Sequence, residues 1–159
     1  MSERIVQRGL WFEEYDIGAI YEHRPGRTVT EADNVLFTTL TMNTQALHLD
    51  AAWSAQQPGF GGQRLINSMF TLSTIVGLSV AQLTQGTLVA NLGFGEVAFP
   101  APLFAGDTLY GETECTGKRE SKSRPGEGIV NLTHIGRNQH GEIVARATRS
   151  TLVRKRPVE

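Results

Sequence analysis

The sequence predicts an α+β fold in which a curved antiparallel sheet wraps around one long buried helix. Two observations support this. The segment from Leu65 to Leu83 is apolar on nearly every helical face, as expected of a helix enclosed by other elements. After Gly86 the chain changes to runs rich in Val, Thr, Ile and Leu that are separated by turn residues, which is typical of successive strands. We expect a single domain spanning residues 1–159.

The first third of the chain predicts one extended segment and one short helix. Aromatic and β-branched residues between Trp11 and Glu22 favour an extended conformation, and Pro25-Gly26 is expected to end it. Thr30 can cap a helix whose first turn carries Glu31 and Asp33, where acidic groups are favourable. The apolar side of this helix is then formed by Val35, Leu36 and Leu40.

The rest of the chain predicts one long helix and four strands. A short helix is expected at 51–55, followed by a flexible break at 57–62. The long helix has ~19 residues, which span roughly 28 Å. The predicted strands are 87–99, 107–121, 128–137 and 143–154. Such a sheet leaves its edge strands uncovered, which favours pairing with a second copy of the chain.

Composition limits the class of protein. The formal net charge of −1 offers no case for nucleic-acid binding. A single cysteine, Cys115, cannot form an internal disulfide and is expected to fill the core of a strand. The N-terminus does not resemble a signal peptide, and the longest apolar stretch, 69–81, is too short to span a bilayer. We therefore expect a cytoplasmic protein that does not bind membranes.

The segment from Thr41 to Asp50 is the strongest candidate for chemistry. A polar residue, Asn43, lies five positions before His48, and Asp50 follows two positions after it. An imidazole held by amide and carboxylate groups can transfer a proton near neutral pH. The alternative is that His48 is a structural histidine in a loop. The four histidines have no metal-ligand spacing, so no metal is expected.

Four segments, in order along the chain, resemble the MaoC-like hydratases and dehydratases of the hotdog fold, a family that includes the (R)-specific enoyl-CoA hydratases. Residues 26–33 look like the start of the family's first helix, and 47–50 look like its catalytic loop. Residues 64–69 look like the start of its central helix, and 99–107 resemble its strand-turn signature. The resemblance covers roughly Gly26 to Val153, and it implies a hotdog fold and an acyl-CoA thioester substrate.

The chain departs from the family pattern at four positions. The family's catalytic pair is Asp and His, whereas the first position here is Asn43. Gln45 and Ala46 replace the family's usual Asn and Pro, and Ser68 replaces a glycine whose backbone amide polarises the thioester carbonyl. Serine offers the same amide. Asparagine cannot accept a proton, although it can hold a water or orient the imidazole.

The resemblance implies reversible addition of water across the 2,3-double bond of an enoyl-CoA. We assign proton transfer to His48, a contribution of typically about 10²–10⁴-fold. We assign positioning of the water to Asn43, which could instead simply close a turn. The backbone amide of Ser68, at a helix start, is the expected oxyanion donor. No cofactor is expected, because CoA is part of the substrate.

Five further residues are expected around the substrate. Arg64 could bind a substrate carboxylate, and Lys122 and Arg124 belong to a basic cluster that could attract the phosphates of CoA. Asn67 and Ser68, together with 42–43, 48–50 and 121–125, resemble a sub-branch of the family. This resemblance implies a branched or dicarboxylic acyl group, of the mesaconyl-CoA or itaconyl-CoA type. Asp50 could orient His48 or act as a base, or it could cap the helix that follows.

Three functions remain open from the sequence. The first is a homodimeric, or larger homo-oligomeric, enoyl-CoA hydratase or 3-hydroxyacyl-CoA dehydratase. The second is a hotdog thioesterase, which would release free CoA. The third is a non-catalytic acyl-CoA-binding subunit, for which Asn43 in place of the acid is the best support.

Overall fold

Five strands form one antiparallel sheet in the order β1-β3-β4-β5-β2. In the computed structural model, which describes residues 2–158, these strands are β1 (Ile20–Thr28), β2 (Leu88–Ala98), β3 (Thr108–Glu120), β4 (Glu127–Arg137) and β5 (Ile143–Arg154). The helices are α1 (Glu31–Leu40), α2 (Ala46–Leu49), α3 (Ala51–Ser54) and α4 (Ser68–Ser79), and a π-helical turn (Val80–Thr84) follows α4. The predicted α+β fold is confirmed. No helix in the described part of the chain has the length and apolar character needed to cross a membrane.

The central helix α4 packs against β1, β3, β4 and β5. Its buried side chains Phe70, Leu72 and Ile75 join residues of β3 and β5 in the main hydrophobic cluster. Gly136 of β4 lets the helix approach closely, since a Cβ there would lie 2.6 Å from Cγ2 of Ile75. The sheet therefore covers this face of α4, as the apolar pattern predicted.

A second cluster lies at the C-terminal end of the helical segment. Tyr15 is fully buried, and its hydroxyl donates to the carbonyl of Leu83 at 2.6 Å. Cys115 lies in the same cluster, and burial raises the pKa of its thiol. A buried thiol with a raised pKa is a poor nucleophile. This agrees with the prediction that Cys115 fills the core.

The predicted start of the long helix was three residues too early. Leu65 pairs with Phe104 in an isolated antiparallel bridge, and the N–H of Ile66 donates to the carbonyl of Leu103 at 2.9 Å. Both residues are therefore extended, and α4 begins only at Ser68. The apolar side chains of 65 and 66 fitted a helical pattern, but the backbone hydrogen bonds to a distant loop determined their conformation.

The prediction that Pro25-Gly26 ends the first strand was wrong. β1 runs through both residues, with an irregular register between His23 and Arg27. β1 is the edge strand of the sheet, so one side of it needs no hydrogen-bonding partner. A proline, which lacks an N–H, is tolerated at an edge. The expected extended segment at 11–22 is also shorter, because Phe12–Glu14 forms a 3-10 turn and β1 begins only at Ile20.

The three apolar residues predicted to form the buried side of α1 do not face the core, although Phe37 packs against it. Val35, Leu36 and Leu40 are exposed, whereas Asn34 and Thr38 are fully buried. Thr30 caps the helix as predicted, because its side chain accepts from the N–H of Asp33. The helix therefore turns a polar pair, spaced by four residues, toward the rest of the protein, and this orientation brings Asn34 to the loop that carries His48.

Candidate active site

The loop between α1 and α2 places His48. The chain leaves α1 through Met42, which has a left-handed backbone (φ 57°), and the N–H of Asn43 then donates to the carbonyl of Thr38 at 3.0 Å. The short helix α2 follows, and the N–H of His48 donates to the carbonyl of Gln45 at 3.1 Å. His48 lies in the last turn of α2, so its backbone is held by local hydrogen bonds.

The His48 imidazole is buried and oriented by one backbone group. Its side chain is 9% exposed, and Nδ1 lies 2.8 Å from the carbonyl oxygen of Leu65. Because a carbonyl oxygen only accepts, Nδ1 must carry the proton. In the neutral ring, Nε2 then has the lone pair. This tautomer gives His48 a nitrogen that can take a proton from water.

Ser68 is the first residue of α4 and lines a cleft. The N–H groups in the first turn of a helix have no intrahelical acceptor, and the side chain of Asn67 satisfies that of Met69 at 3.0 Å. The cleft beside Ser68 has a volume of about 260 Å³. Its walls are mainly apolar and include Phe60, Leu65, Phe99, Leu103 and Val144. An N–H at a helix start, next to an apolar cleft, can stabilise an oxyanion.

His48 and Asn43 are not among the residues that line this cleft. Leu65 connects His48 to the cleft, since it forms part of the wall and its carbonyl accepts from the imidazole. The imidazole is thus hydrogen-bonded to a wall residue of the cleft. A further side chain joins both residues to the start of α4.

Asn34 is the side chain that joins them, and sequence reasoning missed it. Its Nδ2 donates to the carbonyl oxygens of His48 (3.0 Å) and Leu65 (3.1 Å). Its Oδ1 accepts from the N–H of Asn67 at 2.9 Å. The signal in the sequence was the spacing of four between Asn34 and Thr38, which places two polar residues on one side of α1.

Asn43 closes the turn before α2. Its Oδ1 accepts from the N–H of Gln45 at 2.9 Å. This hydrogen bond closes the turn, which was the alternative role predicted for Asn43. The side chain is half-buried, and within residues 2–158 its Nδ2 has no acceptor. The two N–H groups of the amide can therefore donate to a water, and positioning of the attacking water by Asn43 stays a prediction.

Three of the predicted substrate residues have structural partners. The carboxylate of Asp50 accepts from the N–H of Trp53 at 2.8 Å, which caps α3. The guanidinium of Arg64 pairs with the carboxylate of Glu31 and also donates to the carbonyl of Leu49 at 3.2 Å. Asn67 is 4% exposed, caps α4 through Oδ1, and donates through Nδ2 to the hydroxyl of Thr38 at 3.2 Å. All three side chains are therefore engaged by other groups of the protein.

Lys122 and Arg124 lie far from the cleft of their own chain. They belong to the hairpin between β3 and β4, and Arg124 pairs with Glu127. Glu127 is opposite Arg154 at the end of β5, whereas the cleft residue Val144 is at its beginning. Ten residues of strand separate the two ends, roughly 33 Å. The structure therefore does not bring these cations to His48.

Comparison with known proteins identifies relatives of this chain. The sequence profile of the family described as the MaoC like domain matches residues 13–138. A β-methylmalyl-CoA dehydratase from Chloroflexus aurantiacus is 32% identical over 93% of this chain and 41% of its own length. A mesaconyl-CoA hydratase from Cereibacter sphaeroides is 31% identical over 93% of this chain and 42% of its own. The chain thus spans about two fifths of the length of these curated relatives.

A solved structure supports the fold. A Mycobacterium tuberculosis protein described as having a double hotdog fold superposes with a TM-score of 0.84 over 95% of this chain and 46% of its own. Its sequence is only 22% identical, so the similarity concerns the fold alone. The predicted hotdog fold is confirmed.

Proposed function

Since this chain belongs to the MaoC-like domain family, we propose that it reversibly adds water across the 2,3-double bond of a short enoyl-CoA thioester. The observation that carries this proposal is the buried His48 imidazole, whose Nδ1 donates to the carbonyl of Leu65 and whose Nε2 can accept a proton. It belongs to the same hydrogen-bonded unit as the start of α4, where Ser68 offers an oxyanion donor.

The reaction divides among these groups in two steps. His48 Nε2 takes a proton from water as its oxygen bonds to C3, and negative charge moves from the double bond to the thioester oxygen. The N–H of Ser68 stabilises that oxyanion, because a donor fixed in advance costs no reorganisation during the reaction. The imidazolium then returns the proton to C2. The sum is one water added, with OH on C3 and H on C2, and no CoA released.

The acyl group we propose is branched and has four or five carbons. Two curated relatives act on β-methylmalyl-CoA or mesaconyl-CoA according to their names. The cleft of about 260 Å³ is at the small end for ligand pockets and has mainly apolar walls, which suits a short acyl group. A dicarboxylic substrate would additionally need a cation. Arg64, which precedes the cleft residue Leu65 in the chain, is the candidate once its pairing with Glu31 opens.

The active form we propose is a homodimer. Both curated relatives are more than twice as long as the part this chain matches, and the double hotdog neighbour has room for two such units. A second copy of the chain would supply the second unit. The edge strand β2 offers a surface for it, because Leu92, Phe94 and Val97 are between 37% and 50% exposed.

The test is turnover of mesaconyl-CoA, itaconyl-CoA and crotonyl-CoA by the purified protein. Loss of the enoyl-thioester absorbance, with a mass gain of one water and no free thiol, is the expected result. Free CoA would indicate a thioesterase instead. Binding of all three esters without turnover would indicate a binding subunit and would make Asn43 the mark of a lost base.

The matched variants are His48→Ala and His140→Ala. We expect His48→Ala to lower kcat by about 10²–10⁴-fold, because it removes the proton-transfer group. His140 is exposed in the turn between β4 and β5, so His140→Ala should keep wild-type activity. Full activity of His48→Ala on every substrate that the wild type hydrates would disprove the assigned mechanism.

A further inference from the structure

Asn34 occupies an unusual position for an amide side chain. It is fully buried on α1, whereas two apolar residues of the same helix, Leu36 and Leu40, are 61% and 74% exposed. Burying an amide is unfavourable unless its donors and acceptors are satisfied. The helix could bury an apolar residue here, yet it buries Asn34, whose hydrogen bonds all go to backbone groups of the candidate active site.

The identity of the three partners fixes the orientation of the amide. Two of them, the oxygens of His48 and Leu65, are carbonyls and can only accept, so both must face the NH₂ group of Asn34. The third, the N–H of Asn67, can only donate, so it must face the oxygen. Both side-chain N–H groups and the oxygen are therefore used.

Each partner belongs to a different part of the proposed machinery. The carbonyl of His48 is the backbone of the proton-transfer residue, and the carbonyl of Leu65 is the group that orients its imidazole. The N–H of Asn67 immediately precedes the oxyanion donor, Ser68. These segments are separated by 14, 31 and 33 residues from Asn34 in the chain, and one side chain joins them.

We propose that Asn34 is a positioning residue. It holds the His48 imidazole and the Ser68 N–H in the relative positions that hydration requires. This inference rests on the proposed function and deepens it. Asn34 acts through the carbonyl of Leu65, which it shares with the imidazole, and does not itself touch substrate. Without the amide, Leu65 keeps only the imidazole as a side-chain partner. The start of α4 then keeps a single side-chain hydrogen bond to α1, from Nδ2 of Asn67 to the hydroxyl of Thr38.

The test uses two substitutions of Asn34. Asn34→Asp has nearly the same shape and keeps an acceptor for Asn67, but its carboxylate has no N–H for the two carbonyls. Asn34→Ala removes all three hydrogen bonds and is measured in place of Asn34→Asp if that variant does not fold. The control is Thr151→Val, which removes a buried hydrogen bond to the carbonyl of Val130 (3.1 Å) on the sheet, away from the cleft.

We expect the Asn34 variants to lower kcat by about 10- to 100-fold and to change KM by less than about 3-fold, since misplacement of catalytic groups affects the transition state most. Thr151→Val should lower thermal stability but leave kcat unchanged. An equal loss of kcat in Thr151→Val, or unchanged kcat in a folded Asn34 variant, would overturn the inference.

A spectroscopic measurement separates this inference from the proposed function. In the wild type, ¹⁵N NMR of the imidazole, identified by its loss in His48→Ala, should show a proton-bearing Nδ1 and a lone pair on Nε2. In the Asn34 variants the two ¹⁵N shifts should move toward each other as the ring alternates between tautomers. A wild-type ring protonated on Nε2, or a tautomer unaffected by substitution of Asn34, refutes the positioning role. A wild type without turnover refutes only the hydration reaction.

Discussion

At the residue scale, one backbone oxygen determines the tautomer of the candidate base. The carbonyl of Leu65 determines which nitrogen of His48 carries the proton, because it can only accept a hydrogen bond. The sequence identified His48 through its neighbours in the chain, but the group that orients it is 17 residues away. A histidine in a loop thus becomes a candidate base only when its backbone partner is known.

The oxyanion donor can be tested at one backbone nitrogen. Ser68→Pro removes the N–H of the first residue of α4, a position where proline fits a helix. Asn67 already has the extended backbone (φ −58°, ψ 123°) that a residue before proline prefers. We expect kcat to fall by about 10²–10³-fold while circular dichroism stays unchanged.

Ser68→Ala is the control for that variant. It keeps the backbone N–H and removes only the hydroxyl, so it should retain wild-type kcat. If Ser68→Pro were folded and fully active, the stabilising donor would have to be another group. If Ser68→Ala lost as much activity as Ser68→Pro, the hydroxyl and not the backbone amide would be the donor.

At the scale of elements, the site is assembled by helix termini. The helix α3 begins directly after the His48 segment, and α4 begins at the cleft residue Ser68. Each is capped by a side chain that the sequence placed near substrate. Asp50 and Asn67 carry these caps. Capping explains the side-chain types at both positions without any contact to substrate.

Asp50 distinguishes these two roles. Asp50→Ala should lower the free energy of unfolding by about 1 kcal/mol, because it removes the cap of α3. Asp50→Asn should restore most of that stability, since asparagine caps helices about as well. Chemical denaturation gives the stabilities, and the hydration assay gives the activities. A large loss of kcat in the stable Asp50→Asn variant would show that the carboxylate takes part in the reaction instead.

At the scale of the whole molecule, a row of buried polar side chains extends across the three neighbouring strands β1, β3 and β4. The Nε2 of His23 and the Nδ1 of His134 both contact the hydroxyl of Thr113, at 2.8 and 2.9 Å. Burial, together with the charges of Arg149 and His23, lowers the pKa of His134 to about 3. Burial also lowers the pKa of His23, although its hydrogen bond to Gln82 opposes this.

These histidines should make the fold sensitive to acid. The unfolded state binds a proton at His134 below about pH 6.5, whereas the folded state stays neutral until about pH 3. Stability is therefore highest above pH 6.5 and falls as the pH is lowered toward 3. Each proton taken up on unfolding lowers the free energy of unfolding by about 1.4 kcal/mol per pH unit within that window.

Thermal unfolding between pH 7.5 and pH 5 measures this effect before most carboxylates titrate. The melting temperature of His134→Gln should depend less on pH than that of the wild type. His140→Gln changes an exposed histidine, and its melting temperature should depend on pH as in the wild type. A wild-type melting temperature that does not change across this range would contradict the assignment of a neutral, buried His134.

The open edge of the sheet predicts an association that can be broken. Phe94 on β2 is 40% exposed, and Phe94→Asp should convert the proposed dimer to a monomer in sedimentation velocity, because burying the new carboxylate is unfavourable. Ile20 on the opposite edge strand is 62% exposed, and Ile20→Asp is the matched control that should stay dimeric. A dimer that survives Phe94→Asp would place the interface on another surface.

Local patterns were sufficient for the four strands that follow the long helix. The strand predicted at 143–154 coincides with β5, and the other three predicted after the long helix agree with β2, β3 and β4 to within one residue at each end. Alternating β-branched residues and turn residues are local signals, so neighbours in the chain contain the necessary information. The same holds for the Thr30 cap and for the cap formed by Asp50.

What only the tertiary structure decided depends on contacts between distant segments. The sequence by itself determined an α+β fold, the four strands after α4 and a loop with one candidate histidine. It did not determine that α1 would turn Asn34 inward, that β1 would run through Pro25, or that α4 would begin at Ser68. Each depends on a partner outside the segment, such as the N–H of Asn67 for Asn34 or the edge of the sheet for Pro25. Local propensity carries no information about such partners, and they orient the groups proposed to act on the substrate.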